Sequence, residues 1–196
     1  MIDAAAKSVL RRHAFARRDL IEPAEAHAAA ETIAARGLEL SGRLAAPGAV
    51  VAAYWPIRSE ISTRPLLDRL ARAGFRTALP VMTAAGKPLL FRAWSPGDEL
   101  AKGPLGLSEP LAEAATVEPD LMFLPLACFD AAGHRVGYGG GNFDATLATL
   151  RGRRKILAVG LAYADQEVEA IPHEAHDQRL DFVITERAIL DFGALG

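Results

Sequence analysis

Between Asp130 and Asp144 the chain concentrates one arginine, a run of closely spaced glycines and a carboxylate: Arg135, Gly137, Gly139, Gly140, Gly141 and Asp144. These residue types at this spacing suit phosphate chemistry. Glycine adopts positive φ and lets a ligand approach the backbone, and a helix start directly behind it adds unpaired N–H donors and a partial positive charge. From Asn142 to Leu150 the residues are helix-compatible, so the glycines fall against a helix N-terminus. Arg135 supplies a formal cation. Asp144 would repel a phosphate unless a divalent cation lay between them, and Mg²⁺ is the ion that takes one or two carboxylates together with phosphate oxygens. A tight turn whose Asp144 merely favours the first helical turn is the other reading, and the glycines alone do not choose between the two.

Further groups can be weighed the same way. Lys7 and Arg11 are one helical turn apart and either clamp an anion or belong to a solvated basic face. Glu60 stands in a short polar loop after a strand, where a ligand-facing carboxylate would stand, although surface glutamates are common. Arg151, Arg153, Arg154 and Lys155 form the densest basic run. They could grip phosphate or nucleic acid, but they follow a helix ending near Leu150, where cations favourably meet the helix C-terminus. No aromatic residues interleave them, as stacking on single strands would require. His173 and His176 are three apart behind Pro172, the wrong spacing for a zinc helix, and read as loop residues. The chain lacks a Walker loop, a serine nucleophile elbow and a dinucleotide fingerprint.

The elements that must position these groups follow from periodicity and breakers. Helices are expected over Ala4–Leu20, from Pro23 toward Leu44 with a stop at Pro47-Gly48, over Pro65–Ala73, and from Asn142. Strands are expected at Val50–Trp55, Thr77–Leu79 (broken by Pro80), Leu89–Trp94, Leu121–Leu126, Lys155–Leu161 and Phe182–Thr185, with a short terminal helix or tail behind the last. Ser95–Pro119, rich in Gly, Pro and acidic residues, reads as an irregular flap. Strands separated by helices imply an α/β class: an open, mainly parallel sheet with helices on both faces, a Rossmann-like three-layer sandwich. Ligands in such sheets bind at the carboxyl ends of the strands, so the loops after Trp55, Leu126 and Leu161 are expected at the site.

The 196 residues, 51% hydrophobic, suit one domain over 1–196 with a substantial core, and a net charge of -2 predicts no general affinity for nucleic acid or anionic membrane. The absence of an apolar signal core or a spanning run points to the cytoplasm. Cys128, the only cysteine, excludes an internal disulfide and reads as a buried structural thiol.

Taken in order, these residues resemble the 5-formyltetrahydrofolate cyclo-ligase (5,10-methenyltetrahydrofolate synthetase) family over nearly the whole chain. The most specific part of the resemblance is the FD..G.R.G.GGG..D pattern from Phe129 to Asp144. It is joined by Lys7, Leu10 and Arg11, by Glu60-Ile61 and Thr63, by Gly106–Pro110, by Gln166, and by His176-Asp177 with Asp181 and Thr185. The resemblance implies a ligase that binds ATP, Mg²⁺ and 5-formyltetrahydrofolate and yields 5,10-methenyltetrahydrofolate, ADP and phosphate; a monomer is expected. It implies that Lys7, Arg11, Arg135, Gly137, Gly139, Gly140, Gly141 and Phe143 face the nucleotide, with Arg135 the catalytic cation. Trp55, Glu60, Tyr138 and Asn142 would face the folate, and Asp144 and Asp177 would hold Mg²⁺. The family usually carries two aromatics before the metal aspartate, so Asn142 would leave an aromatic position vacant beside the substrate; Ala145 stands where a basic residue is common. A diverged relative with another acceptor, or a phosphate- or RNA-binding module using Arg151–Lys155, are the alternative readings.

Overall fold

In the computed structural model, which describes residues 2–103 and 106–194, the chain opens with two helices, α1 (Ile2–Arg18) and α2 (Pro23–Leu44). Pro23 begins α2 where no intrahelical N–H is needed, and Pro47-Gly48 lies just beyond its end. Then come β1 (Val50–Ala52), α3 (Arg64–Arg72), β2 (Arg76–Val81) and β3 (Leu90–Ala93). Next are β4 (Leu100–Lys102), β5 (Ser108–Pro110), β6 (Thr116–Val117), β7 (Leu121–Pro125), β8 (Cys128–Phe129) and β9 (Arg135–Val136). Helix α4 (Asn142–Arg151), β10 (Leu157–Leu161), β11 (Phe182–Ile184) and β12 (Ile189–Asp191) complete the order.

Eight of the strands form one sheet in the order β12-β11-β10-β7-β1-β2-β3-β6, parallel from β11 to β2 and antiparallel at both margins. Side chains alternate across its pleat. Val51, Leu79, Leu121, Phe123, Val159 and Phe182 pack against Ile33 and Leu40 of α2 and Leu66, Leu67 and Leu70 of α3. Ala52, Ala78, Met122, Leu124, Ala158 and Val183 face the other way, onto Leu147 and Leu150 of α4. The expected mainly parallel sheet with helices on both faces is therefore present. Helix α1 packs apart from these layers, with Leu10, Ala14 and Phe15 against Ala127, Cys128 and Val136.

The crossover from β1 runs through α3 to β2, and that from β7 runs through α4 to β10 on the opposite face. Neighbouring strands β1 and β7 thus send their connections in opposite directions, which opens a crevice at their carboxyl ends.

Four expectations change. Pro80 does not break β2; it pairs with Phe91 of β3 beyond the point where β1 stops pairing, so its missing N–H costs no ladder bond. The strand expected through Trp55 ends at Ala52, because Tyr54 turns away to bond Ile61 and Thr63. The irregular segment Ser95–Pro119 contains the β4–β5 hairpin and β6, which extends the sheet edge; Pro104 and Leu105 lie outside the described residues. Behind β11 the chain forms the antiparallel strand β12 rather than a helix, and Ala194 is the last residue described.

Candidate active site

A cavity of about 950 Å³ occupies the crevice, lined by side chains from α1, the loop after β1, the ends of β2 and β7, the β5 hairpin, the glycine loop and the first turns of α4. All of the residues expected at the site line it: Lys7, Arg11, Trp55, Glu60, Arg135, Gly137 through Asp144, and Asp177. The connection after Leu161 reaches the cavity through Glu174, His176 and Asp177, while its Gln166 donates to the Leu126 and Ala127 carbonyls and accepts from Tyr163 N–H, which braces the end of β7.

One side of the cavity is cationic. Arg11 donates from Nε to the Gly137 carbonyl at 2.6 Å, and its guanidinium lies so near Gly139 that an added Cβ would meet it at 3.3 Å. Gly139 and Gly141 have φ of 94° and 68°, the left-handed region that a side chain makes costly. Gly141 caps α4, whose first-turn N–H groups lack intrahelical acceptors and carry the positive end of the helix dipole. Arg135, with its side chain 4% exposed, donates to Asp144 Oδ1 at 2.8 Å and to the Gln178 carbonyl. Lys7 pairs with Asp177 Oδ2.

The two aspartates are arranged alike. Asp144 takes Arg135 and Gln178 N–H on Oδ1. Asp177 takes Lys7 and Glu174 N–H on Oδ2, while its Oδ1 is 3.8 Å from His176 Nε2. Burial pushes the Asp177 carboxyl up, but the hydrogen bonds from Lys7 and Glu174 outweigh it and hold it below the ordinary range. Each carboxylate thus keeps an oxygen outside these bonds in the same cavity. Two oxygen donors fit a hard ion that completes its shell with phosphate oxygens and water, and no cluster of three metal-ligating side chains exists among the described residues.

The rest of the lining is more apolar. Tyr54, Ile57, Pro80, Met82, Leu89 and Leu107 line it, and Trp55 is held edge-on to Trp94 at 5.4 Å with Arg64 over its face at 4.5 Å. Glu60 is buried; its Oε2 accepts from Ile57 N–H at 2.9 Å, and burial raises its carboxyl above the usual value.

Asn142 corrects an expectation. Its amide donates to the Ala84 and Lys87 carbonyls at 2.6 and 2.8 Å, and Gly86 N–H reaches the Gly140 carbonyl at 3.0 Å. Asn142 thereby pins the β2–β3 loop to the glycine loop and leaves no vacant ring position at its own site. The basic run is likewise committed internally: Arg151 to Asp181, Arg153 to Glu118 and Arg154 to Asp120, all at 2.7–2.8 Å. These pairs tie α4 to the sheet, and Arg151 also stands in the last turn of α4, as the helix-end reading expects. His173 is exposed and stacks on His134, whose Nδ1 contacts Asp130 at 3.2 Å. Cys128 is fully buried, its thiol pushed up to about 11 by burial, as a structural thiol should be.

Two buried charged groups stand outside the set expected at the site. Glu109, buried, lines the cavity and accepts from Met82 N–H at 2.9 Å. Arg18 is buried behind Tyr138. Its signal was the helical register: Lys7, Arg11, Ala14 and Arg18 share one face of α1.

A family profile described as the 5-formyltetrahydrofolate cyclo-ligase family matches residues 3–186. The 5-formyltetrahydrofolate cyclo-ligase of Escherichia coli is 36% identical over 148 residues, covering 72% of this chain and 80% of that protein. The enzyme of the same name from Mycolicibacterium smegmatis is 35% identical over 159 residues, 77% of each chain. The structure of Aquifex aeolicus 5,10-methenyltetrahydrofolate synthetase superposes with a TM-score of 0.74 at 27% identity, covering 95% of this chain and 93% of that one.

Proposed function

The chain belongs to the 5-formyltetrahydrofolate cyclo-ligase family, and from that premise we propose that it closes 5-formyltetrahydrofolate to 5,10-methenyltetrahydrofolate at the expense of ATP, with Mg²⁺, releasing ADP and phosphate. The observation that carries this reading is that one cavity combines a cationic, glycine-rich lining with an apolar lining bearing buried carboxylates. A nucleotide triphosphate suits the first and a reduced pterin with its aminobenzoyl group suits the second.

In this reading the γ-phosphoryl group passes to the formyl oxygen. The lone pair of N10 then forms a bond to the formyl carbon, the C–O bond breaks, phosphate leaves, and N10 loses its proton. The protein's share is positioning and charge. Lys7, Arg11, Arg135 and the glycine-loop N–H groups bind the phosphates, and Arg135 is placed to meet charge on the transferring group because Asp144 and the Gln178 carbonyl fix its fork. Asp144 and Asp177 would hold Mg²⁺, which when bound neutralises phosphate charge. Glu60 accepts N–H groups of the pterin, and Trp55 and the apolar wall hold the ring and exclude water from the activated formyl group. Phe143 and Tyr138 also line the cavity. The ion-paired state of Arg151, Arg153 and Arg154 gives no support to a nucleic-acid role.

The test follows methenyltetrahydrofolate by its absorbance, with ATP and Mg²⁺ present or singly omitted. Product only in the complete mixture supports the reading; product independent of ATP, or none under any condition, overturns it.

A further inference from the structure

Helix α1 ends in a buried cation that touches no ligand space. Arg18 is 3% exposed, and its bonds go to neutral oxygens: Nε to Ser59 Oγ at 3.1 Å, Nη1 to the Leu126 carbonyl at 3.3 Å and Nη2 to Tyr138 Oη at 2.8 Å. Its guanidinium also lies 5.0 Å from the centre of the Phe15 ring, which packs at a tilt against Tyr138 with centroids 4.8 Å apart. Burying a guanidinium among neutral acceptors is a costly way to fill a core position, because it forfeits hydration without the full attraction of a contacting carboxylate. A leucine or methionine would pack here more cheaply.

The cation's partners supply a reason. Ser59 adjoins Glu60 in the loop after β1, Leu126 closes β7, and Tyr138 stands between Gly137 and Gly139. Tyr138 and Glu60 line the cavity whereas Arg18 does not, so any effect of Arg18 on ligands runs through these two. The Tyr138 hydroxyl accepts from Arg18, whose Nε in turn holds Ser59, the residue directly before Glu60. A continuous chain of contacts therefore runs from the glycine loop to the carboxylate on the apolar side. Arg18, anchored to β7 and to Ser59, is the fixed point of that chain. The glycine loop has two left-handed residues and an exposed surface, and Tyr138 is the side chain through which a change in that loop reaches Glu60.

Resting on the two-substrate reading of the cavity, we propose that Arg18 is a positioning residue that, through Tyr138, makes nucleotide binding on the glycine loop and folate binding at Glu60 reinforce each other. Nucleotide phosphates drawing the loop inward set Tyr138 Oη against Arg18, which holds Ser59 and with it the adjoining Glu60. Glu60 is then held, with its free lone pairs directed at the pterin. Linkage requires the converse: bound folate fixes Glu60 and Tyr138 and tightens nucleotide by the same factor.

Calorimetric titration of the full chain with 5-formyltetrahydrofolate, alone and with Mg²⁺ and a saturating non-hydrolysable ATP analogue, reads the coupling directly. The wild type should bind folate about tenfold more tightly with the analogue present, within the usual range of site–site coupling. In Arg18→Lys the charge remains, but one ammonium cannot span Ser59, Leu126 and Tyr138 together, and the ratio should fall below about threefold. Tyr138→Phe, a change at a solvent-exposed ring, removes the hydroxyl while sparing the fold and should give the same loss. A purely structural role for Arg18 would weaken both affinities and leave the ratio at its wild-type value; that result overturns the proposal, as does a wild type in which the two ligands bind independently. Wild-type protein that binds neither ligand would overturn the cyclo-ligase reading itself, a distinct outcome from independent binding.

Discussion

Replacing Asp144 by Asn perturbs two things at once, and the structure separates them. Asn is isosteric and its Oδ1 can still accept from Arg135 and from Gln178 N–H, so neither bond need be lost. What disappears is the negative charge opposite a guanidinium whose side chain is 4% exposed, while Asp144 itself is 29% exposed. Converting a charge-assisted bond to a neutral one in this setting should cost about 1–2 kcal/mol. For a chain of this size that lowers Tm by about 2–8 °C. The fold should survive, though not unchanged. Activity should fall much further, by at least about 100-fold at limiting Mg²⁺, because a neutral amide is a poor ligand for a hard dication. The assay is methenyltetrahydrofolate formation across a Mg²⁺ series, run at a temperature well below the variant's Tm measured in the same buffer. Wild-type turnover at limiting Mg²⁺ would refute the metal role. A loss of activity that vanishes on cooling would show that Asp144 serves only to anchor Arg135.

Four other outcomes are expected. Lys7→Ala should raise the KM for ATP more than that for folate, since it removes a point charge from the phosphate side; equal effects on both, seen in steady-state kinetics, would return Lys7 to a structural pair with Asp177. Asn142→Ala should cost about 2 kcal/mol by releasing the Ala84 and Lys87 carbonyls, and Asn142→Tyr should be no better and should not tighten folate; calorimetry and thermal unfolding check both. Folate affinity should weaken as pH falls through the carboxyl of Glu60, starting at a higher pH than for an ordinary glutamate because burial raises it, and Glu60→Gln should flatten that limb of the KM profile. Gly139→Ala should lose about 1–2 kcal/mol of stability from its φ of 94° and displace Arg11; an unchanged Tm and KM for ATP would argue against both.

Much of this architecture was legible because local signals agreed with the global fold. Apolar runs at Leu121–Leu126 and Lys155–Leu161 became the central strands, and Pro23 and Pro47-Gly48 bounded α2. The glycines and Arg135 marked, from residue type alone, the loop that lines the cavity. What stayed hidden depended on contacts distant in sequence. Asn142 looked like a vacant aromatic position because its partners, the carbonyls of Ala84 and Lys87, belong to a loop more than fifty residues earlier. Pro80 looked like a breaker because a single sequence does not say on which side a strand lacks a neighbour. The margin strands β6 and β12 were missed because two or three residues carry too little periodicity to register, and pairing with a formed sheet decides their conformation. Arg18 was lost among the basic residues of α1, since helical register marks a face but not its burial.

The central claim is that the cavity brings the γ-phosphoryl group of ATP onto the formyl oxygen of the folate. It is tested most directly with 5-formyltetrahydrofolate carrying ¹⁸O in the formyl group, turned over with ATP and Mg²⁺, and with the released phosphate analysed by mass spectrometry. The account predicts one ¹⁸O atom in each phosphate released, because the C–O bond breaks only after oxygen has joined phosphorus. Unlabelled phosphate formed alongside methenyltetrahydrofolate would contradict it.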